Sequence, residues 1–316
     1  MSPAPQAVAA PSLHTGYLML AGIALTWGAN YPLLKMGLEY APPLLFTVLR
    51  MTLGTLVMAL IVYRLGRLRW PPRGDWPVVF SAGVAQNMLF ITLITIGLQY
   101  VPAGRAAVLA YTSSIWVVPL AAIYLGERLT LARAIGVVLG LIGLGFIFHP
   151  AGMDWQDPNM LIGGGLIVSA SLMWSIGLIH IRRHHWHSEV LDLLPWQLLV
   201  GVLVLMPIAL MRESPAAITW TPGFVLLLLV SGPLASGLCV YGLIAASRAL
   251  PAVSLSLMSM AVPTMSVVAS MLVLGERPSL ADLAGFAAIV GGIAIVSIAD
   301  LRRSGAAKQE AGTPAS

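Results

Sequence analysis

The sequence predicts an all-α membrane protein: ten transmembrane helices arranged as two inverted five-helix repeats, with both termini in the cytoplasm. Three observations carry this. Of the 316 residues, 58% are hydrophobic and only 9% charged, against about 25% charged in an ordinary soluble protein. The apolar residues fall in runs near the about 20 residues a helix needs to cross the hydrocarbon core. The second half of the chain also repeats the first at an offset of 149 residues. This composition excludes a soluble globular enzyme, a nucleic-acid module and a disordered chain, since disorder needs low hydrophobicity and high charge. The single cysteine, Cys239, excludes a disulfide framework and a cysteine-based zinc site.

The apolar runs place spans at 16–38, 43–63, 77–98, 102–124, 130–148, 159–181, 189–211, 222–247, 251–273 and 279–299. Pro42-Pro43, Pro71-Pro72, Pro102, Pro251 and Pro278 punctuate the connections, as expected where helices begin. Runs this long and apolar do not alternate as barrel strands do. The stretch 1–15 reads as an N-terminal tail without the basic residues of a signal peptide. Residues 16–148 form the first repeat, 149–158 an extracytoplasmic connection, 159–299 the second repeat and 300–316 a disordered cytoplasmic tail.

Lys and Arg in short loops set orientation. With the N-terminus inside, Arg64, Arg67, Arg69, Arg73, Arg128, Arg133, Arg182, Arg183, Arg248, Arg302, Arg303 and Lys308 fall on the cytoplasmic side. Only Lys35, Arg105, Arg212 and Arg277 fall outside. The net charge of +5 is thus a topology signal whose natural partner is anionic lipid; no nucleic acid is expected.

Residues 125–136 read LGERLTLARAIG and residues 274–285 read LGERPSLADLAG; Gly143 matches Gly292, and Pro102-Ala103 matches Pro251-Ala252. At an offset of 147, Trp27 falls on Trp174 and Arg50 on Gln197. Each half holds an odd number of spans, so the second half enters from the opposite side. Inverted repeats of this kind place a substrate site near the midplane between the halves, with alternating access by rocking.

These features resemble the drug/metabolite transporter superfamily, in its bacterial EamA-domain branch. The resemblance rests on W27-G-A-N in the first span, Arg50 in the second and LGER near the fifth and tenth, and covers about residues 16–300. It implies a multi-pass protein of the bacterial cytoplasmic (inner) membrane that exports an amino acid or related amphipathic metabolite through a central cavity. It implies neither enzymatic activity nor a cofactor, and a monomer or a dimer. One departure is visible. The family has a Pro about twelve residues before the LGER glycine; the second half keeps Pro263, whereas the first half has Ser114, with Pro119 five residues later. The break in the fourth helix is therefore expected one turn lower.

Polar groups in mid-span must face protein or a watery cavity. In the first span Trp27, Asn30 and Tyr31 share a face; they read as a substrate-binding wall or as interhelical packing. Trp174 is the symmetric partner of Trp27. Gln86, Asn87 and Phe90 share a face of the third span, and two adjacent mid-span amides favour a cavity. Tyr111 and Ser114 in the fourth span and Tyr241 in the eighth add hydroxyls. Arg50 is the costliest residue, about 2.5–3.5 kcal/mol at a helix centre on insertion scales. It reads as attraction for a substrate carboxylate, or as pairing with Glu39 or helix-end carbonyls. Lys35, four residues from Glu39, is expected to pair with it. Glu127 and Glu276 read as caps on the helices they precede. His184, His185 and His187 read as a solvated cytoplasmic loop rather than a metal site.

No Asp or Glu lies in the middle of a span, so the buried carboxylate relay of proton-driven carriers is missing. Facilitated exchange or weak proton coupling is expected. The competing reading is a membrane-embedded enzyme or channel acting on a small metabolite or lipid. It would require paired carboxylates, a loop metal motif or a repeated selectivity segment.

Overall fold

The computed structural model describes residues 12–127, 130–147, 158–247, 250 and 252–311, and the side chains of these apart from 252–260, 300–301 and 303–311. Every described element is helical. We number them α1 (Leu13–Gly37), α2 (Pro43–Arg64), α3 (Arg73–Gly97), α4 (Ala103–Leu125), α5 (Leu131–Ile147), α6 (Pro158–Arg183), α7 (Val190–Arg212), α8 (Pro222–Ser247), α9 (Ala252–Leu274) and α10 (Leu280–Ala311). Among the described residues, seven helices are long and apolar enough to cross a membrane: α2, α3, α4, α6, α7, α8 and the Leu280–Ala299 part of α10. Leu131–Ile147 and Ala261–Leu274 are shorter apolar helices. The last helix runs on to Ala311, past residue 299 where a disordered tail is expected. The connection 149–157, the first eleven residues and Pro251 lie outside the described residues.

Sequence chemistry explains the ends. Pro42 and Pro102 hold extended backbone immediately before α2 and α4, where a missing N–H costs nothing. Gly126 and Gly275 adopt φ +67° and +66° and end α4 and α9, a left-handed turn that only glycine makes without steric cost. Ser279 and Asp282 cap α10 reciprocally: Asp282 N–H donates to Ser279 Oγ (3.1 Å) and Ser279 N–H to Asp282 Oδ2 (3.0 Å).

The acids after those glycines act elsewhere than expected. Glu276 accepts from the backbone N–H groups of Ala103 (2.6 Å) and Gly104 (3.0 Å), capping α4 rather than its own helix. Lys35 joins it at 3.6 Å and donates to the Val101 carbonyl, so its partner is Glu276 and not Glu39. Glu127 pairs with Arg182 and Arg133. Sequence spacing shows only local neighbours, whereas Glu276's partners and Arg182 come from the other half of the chain.

The helices pack α5 on α10, α1 on α8 and α9, α2 on α7 and α8, α3 on α6 and α7, and α4 on α6 and α9. Small residues set the closest approaches, as in membrane bundles generally. A Cβ on Gly292 would lie 2.7 Å from the Gly136 carbonyl oxygen, and one on Gly285 2.8 Å from that of Gly143. The main apolar core surrounds Phe46, Leu98, Leu109, Ile167, Phe224 and Ile289.

Candidate functional site

The candidate residues gather around two irregular helix segments. The middle of α3, Ala82–Leu89, and the middle of α8, Val230–Leu238, are wound as π-helix. Such segments are rare and occur often at functional sites. In α8, Pro233 removes one N–H from the ladder; α3 carries no proline there. In each segment a side chain donates to the carbonyl five residues back: Asn87 Nδ2 to Ala82 (3.2 Å) and Ser236 Oγ to Ser231 (3.3 Å). Asn87 therefore serves its own helix first.

The α8 segment meets α1 and α2. Trp27 Nε1 donates to the Ala235 carbonyl at 2.9 Å. Arg50 Nη2 donates to the Ser231 carbonyl at 2.9 Å. Gly232 lets α8 come this close, since a Cβ there would stand 2.5 Å from the Arg50 carbonyl oxygen. Arg50 is 3% exposed, and its Nε has no hydrogen-bond partner. No carboxylate among the described residues pairs with it, so the expected partner Glu39 is not used. Tyr31, buried in α1, lies within electrostatic range of both Arg50 and Tyr111. In the residue just before Tyr31, Asn30 Oδ1 is buried without a partner. A cation and a phenol thus lie close together between α1, α2 and α8, with the Tyr111 phenol of α4 near Tyr31.

The α3 segment meets α6 and α7. Gln86 Nε2 donates to the Trp174 carbonyl at 3.2 Å. The Phe90 and Trp174 rings pack with centroids 4.8 Å apart, tilted by 49°. Trp174 keeps 36% of its surface exposed. A Cβ on Gly83 would lie 2.6 Å from the Gln197 carbonyl oxygen.

Two candidates lie apart. Ser114 turns with Tyr111 toward Gly136, Gly140, Ile289 and Gly292 of the α5–α10 pair. Tyr241 packs on Met58, Val62, Leu191, Leu198 and Ala245 between α2, α7 and α8. The break in α4 falls at Tyr111–Thr112, between Ala103–Ala110 and Ser113–Leu125, and not near Pro119, which stays inside a continuous helix. Buried hydroxyls pin that break: Thr112 Oγ1 bonds Ser171 Oγ (3.0 Å), Trp116 Nε1 donates to Ser171 Oγ (2.9 Å), and Ser175 Oγ donates to the Ser113 carbonyl (2.9 Å). Sequence reasoning missed Ser171, Ser175 and Ser231, because a lone Ser in an apolar run is silent about what it meets.

The histidine loop is not simply solvated. His184 and His187 both bond the buried Asp75 carboxylate at the start of α3.

The EamA-like transporter family is matched over residues 14–149 and again over 161–298. The chain is 29% identical over 284 residues to an uncharacterized transporter of Bacillus subtilis, YvbV, covering 89% of this chain and 90% of that one. It is 26% identical over 295 residues to a probable terminal-alkyne amino-acid exporter of Streptantibioticus cattleyicolor, covering 92% and 94%. A probable amino-acid metabolite efflux pump of Salmonella typhimurium shares 26% over 212 residues, 66% of this chain and 68% of that one. One solved crystal structure superposes with a TM-score of 0.63 at 22% identity, covering 92% of this chain and 98% of the other. That likeness is one of fold.

Proposed function

The chain belongs to the EamA-like transporter family, and from that premise we propose that it exports a small amphipathic metabolite bearing a carboxylate, of the amino-acid class, by alternating access. Membership makes it a transporter of the drug/metabolite type and a multi-pass protein of the bacterial inner membrane, with a small molecule as substrate.

The observation that carries the substrate class is Arg50. A buried guanidinium without a carboxylate partner is costly, and a substrate carboxylate supplies the missing charge. On the same helix as Tyr31, Asn30 Oδ1 offers an acceptor to an ammonium group; Tyr31 stands near the guanidinium, and Tyr111 near Tyr31. Trp27, Gln86, Asn87, Phe90 and Trp174 form the remaining wall, where aromatic rings suit an apolar side chain. Ser114 and Tyr241 contribute less directly. The exporters and efflux pumps among the relatives support export of this class of compound.

Two five-helix halves, 16–148 and 159–299, carry the motion in ten spans. Several paired features support this. The i–5 side-chain bonds of Asn87 and Ser236, the glycine turns at Gly126 and Gly275, and the Gly83 and Gly232 contacts recur at an offset of 149, at which the π segments also overlap. Tyr31, Arg50 and Gln86 are buried here, so substrate access requires the halves to part. Metabolite profiling of medium from cells with and without the protein identifies the substrate. If no carboxylate-bearing compound accumulates outside, the reading is wrong.

A further inference from the structure

A second cluster lies away from these residues, at the end of the bundle that carries the start of α3 and the α6–α7 connection. Asp75 is 0% exposed. Its Oδ1 accepts from the His187 backbone N–H (3.1 Å) and lies 2.9 Å from His184 Nε2 and 3.2 Å from His187 Nδ1. Ser188 stands beside the same carboxylate, yet Oδ2 has no hydrogen-bond partner of proper geometry. No Lys or Arg among the described residues forms an ion pair with Asp75. A buried carboxylate that meets no Lys or Arg, only imidazoles, a backbone N–H and a hydroxyl, suits a further cation.

The three ligand atoms, one each from Asp75, His184 and His187, all lie within 4.8 Å of one another. Tetrahedral zinc with bonds of about 2.0–2.2 Å places its ligands about 3.3 Å apart, close to the two His–Asp separations already present. The His187 ring lies against Gly74, where a Cβ would stand 2.5 Å from its Cε1, so only glycine leaves room for the ring there. Access is open: a surface cavity of about 420 Å3 is lined by Gly74, His180, Arg183, His184, His185 and His187. We propose that Asp75, His184 and His187 form a binding site for a divalent transition metal of the Zn2+ type. Two imidazoles and one carboxylate suit such borderline cations and not Ca2+, which takes oxygen ligands. The fourth position faces the cavity and is left to solvent.

Position adds a consequence, which rests on the transport reading above. Asp75 belongs to the first half, whereas His184 and His187 belong to the second, so the metal ties the halves together at one end. Bound Zn2+ then slows any transport that requires this end to open.

The test uses full-length protein in nanodiscs, purified without a polyhistidine tag. Zn2+ alone is titrated by calorimetry, with Ca2+ as control. One Zn2+ is expected per chain, and His187→Gln is expected to weaken it at least tenfold. His187 is 55% exposed at its side chain, so this variant folds; His184→Gln repeats the test, and His185→Gln binds as the parent does. If the parent binds no Zn2+, or if both His187→Gln and His184→Gln bind it unchanged, the site is refuted. A Zn2+ effect on counterflow that His187→Gln removes supports the clamp. Binding that leaves counterflow unchanged overturns the clamp and leaves the metal site standing. If the chain moves no substrate at all, the transport reading fails while the titration still decides the site.

Discussion

Arg50→Gln removes the one charge that the proposed substrate carboxylate meets. In the folded protein the change deletes a 2.9 Å hydrogen bond from a charged donor to the Ser231 carbonyl, a loss of about 1.5–3 kcal/mol. It also removes a buried guanidinium that has no carboxylate partner, which offsets that loss. The melting temperature in detergent is therefore expected to move little. Binding is different, because the parent site then neutralises the charge. Truncating one partner of a buried, hydrogen-bonded charge pair costs about 2–5 kcal/mol, and ~2 kcal/mol already corresponds to about a 30-fold change in affinity. The assay is concentration-dependent counterflow in proteoliposomes, with the substrate found by metabolite profiling and with its carboxamide. Arg50→Gln is expected to raise the KM for the acid at least 30-fold and to leave the carboxamide nearly unaffected. An unchanged KM for the acid, or equal losses for acid and amide, would refute a carboxylate-binding role.

Trp174→Ala removes the ring contact with Phe90, worth about 0.5–1.5 kcal/mol beyond buried area. It is expected to abolish efflux without loss of expressed protein, and full transport by this variant and by Trp27→Ala and Asn87→Ala would mean the wall lies elsewhere. Glu276→Ala uncaps the backbone N–H groups of Ala103 and Gly104 and should lower stability by about 1–2 kcal/mol, read as an earlier thermal transition in detergent. Gly292→Val should be far worse, since even a Cβ there would stand 2.7 Å from the Gly136 carbonyl oxygen; loss of monodisperse protein in size-exclusion chromatography is the expected result.

What the sequence reveals depends on the range of the interaction. Helix ends are local events, and prolines at 42 and 102 and glycines at 126 and 275 mark them in the chain. The glycines at 136, 143, 285 and 292 signal a tight helix pair because no side chain fits there. The partners of the charged groups are illegible for the opposite reason. Lys35 meets Glu276, and Glu276 caps α4, across more than 170 residues of chain. The histidine loop hid in the same way, since its partner Asp75 lies 109 positions before His184. Period and composition place Tyr241 on a helix face, but which neighbours that face meets is a tertiary matter, and they are the apolar residues around Met58. The π winding of α3 has no proline to announce it.

The placement of charge bears on how transport is driven. Near the helix ends, Arg105 is neutralised by Asp282 at 2.8 Å, and Glu213 accepts from the N–H groups of Leu44 and Leu45 at the start of α2. Arg67 is held by Glu189 and Asp192. Among the buried arginines of the described residues Arg50 is the exception, and no Asp or Glu lies at mid-span to balance it or to carry a proton. An empty carrier must then move an unpaired buried guanidinium between its two states, whereas in a carrier loaded with a carboxylate that guanidinium is paired. Burying the unpaired ion costs several kcal/mol more, so the loaded form reorients faster. The expected outcome is exchange: unlabelled substrate on the far side of a proteoliposome accelerates uptake of labelled substrate without an imposed pH gradient. Uptake that demands a pH gradient and shows no such acceleration would mean that a proton, bound at a group not at mid-span, supplies the balance that this argument assigns to the substrate.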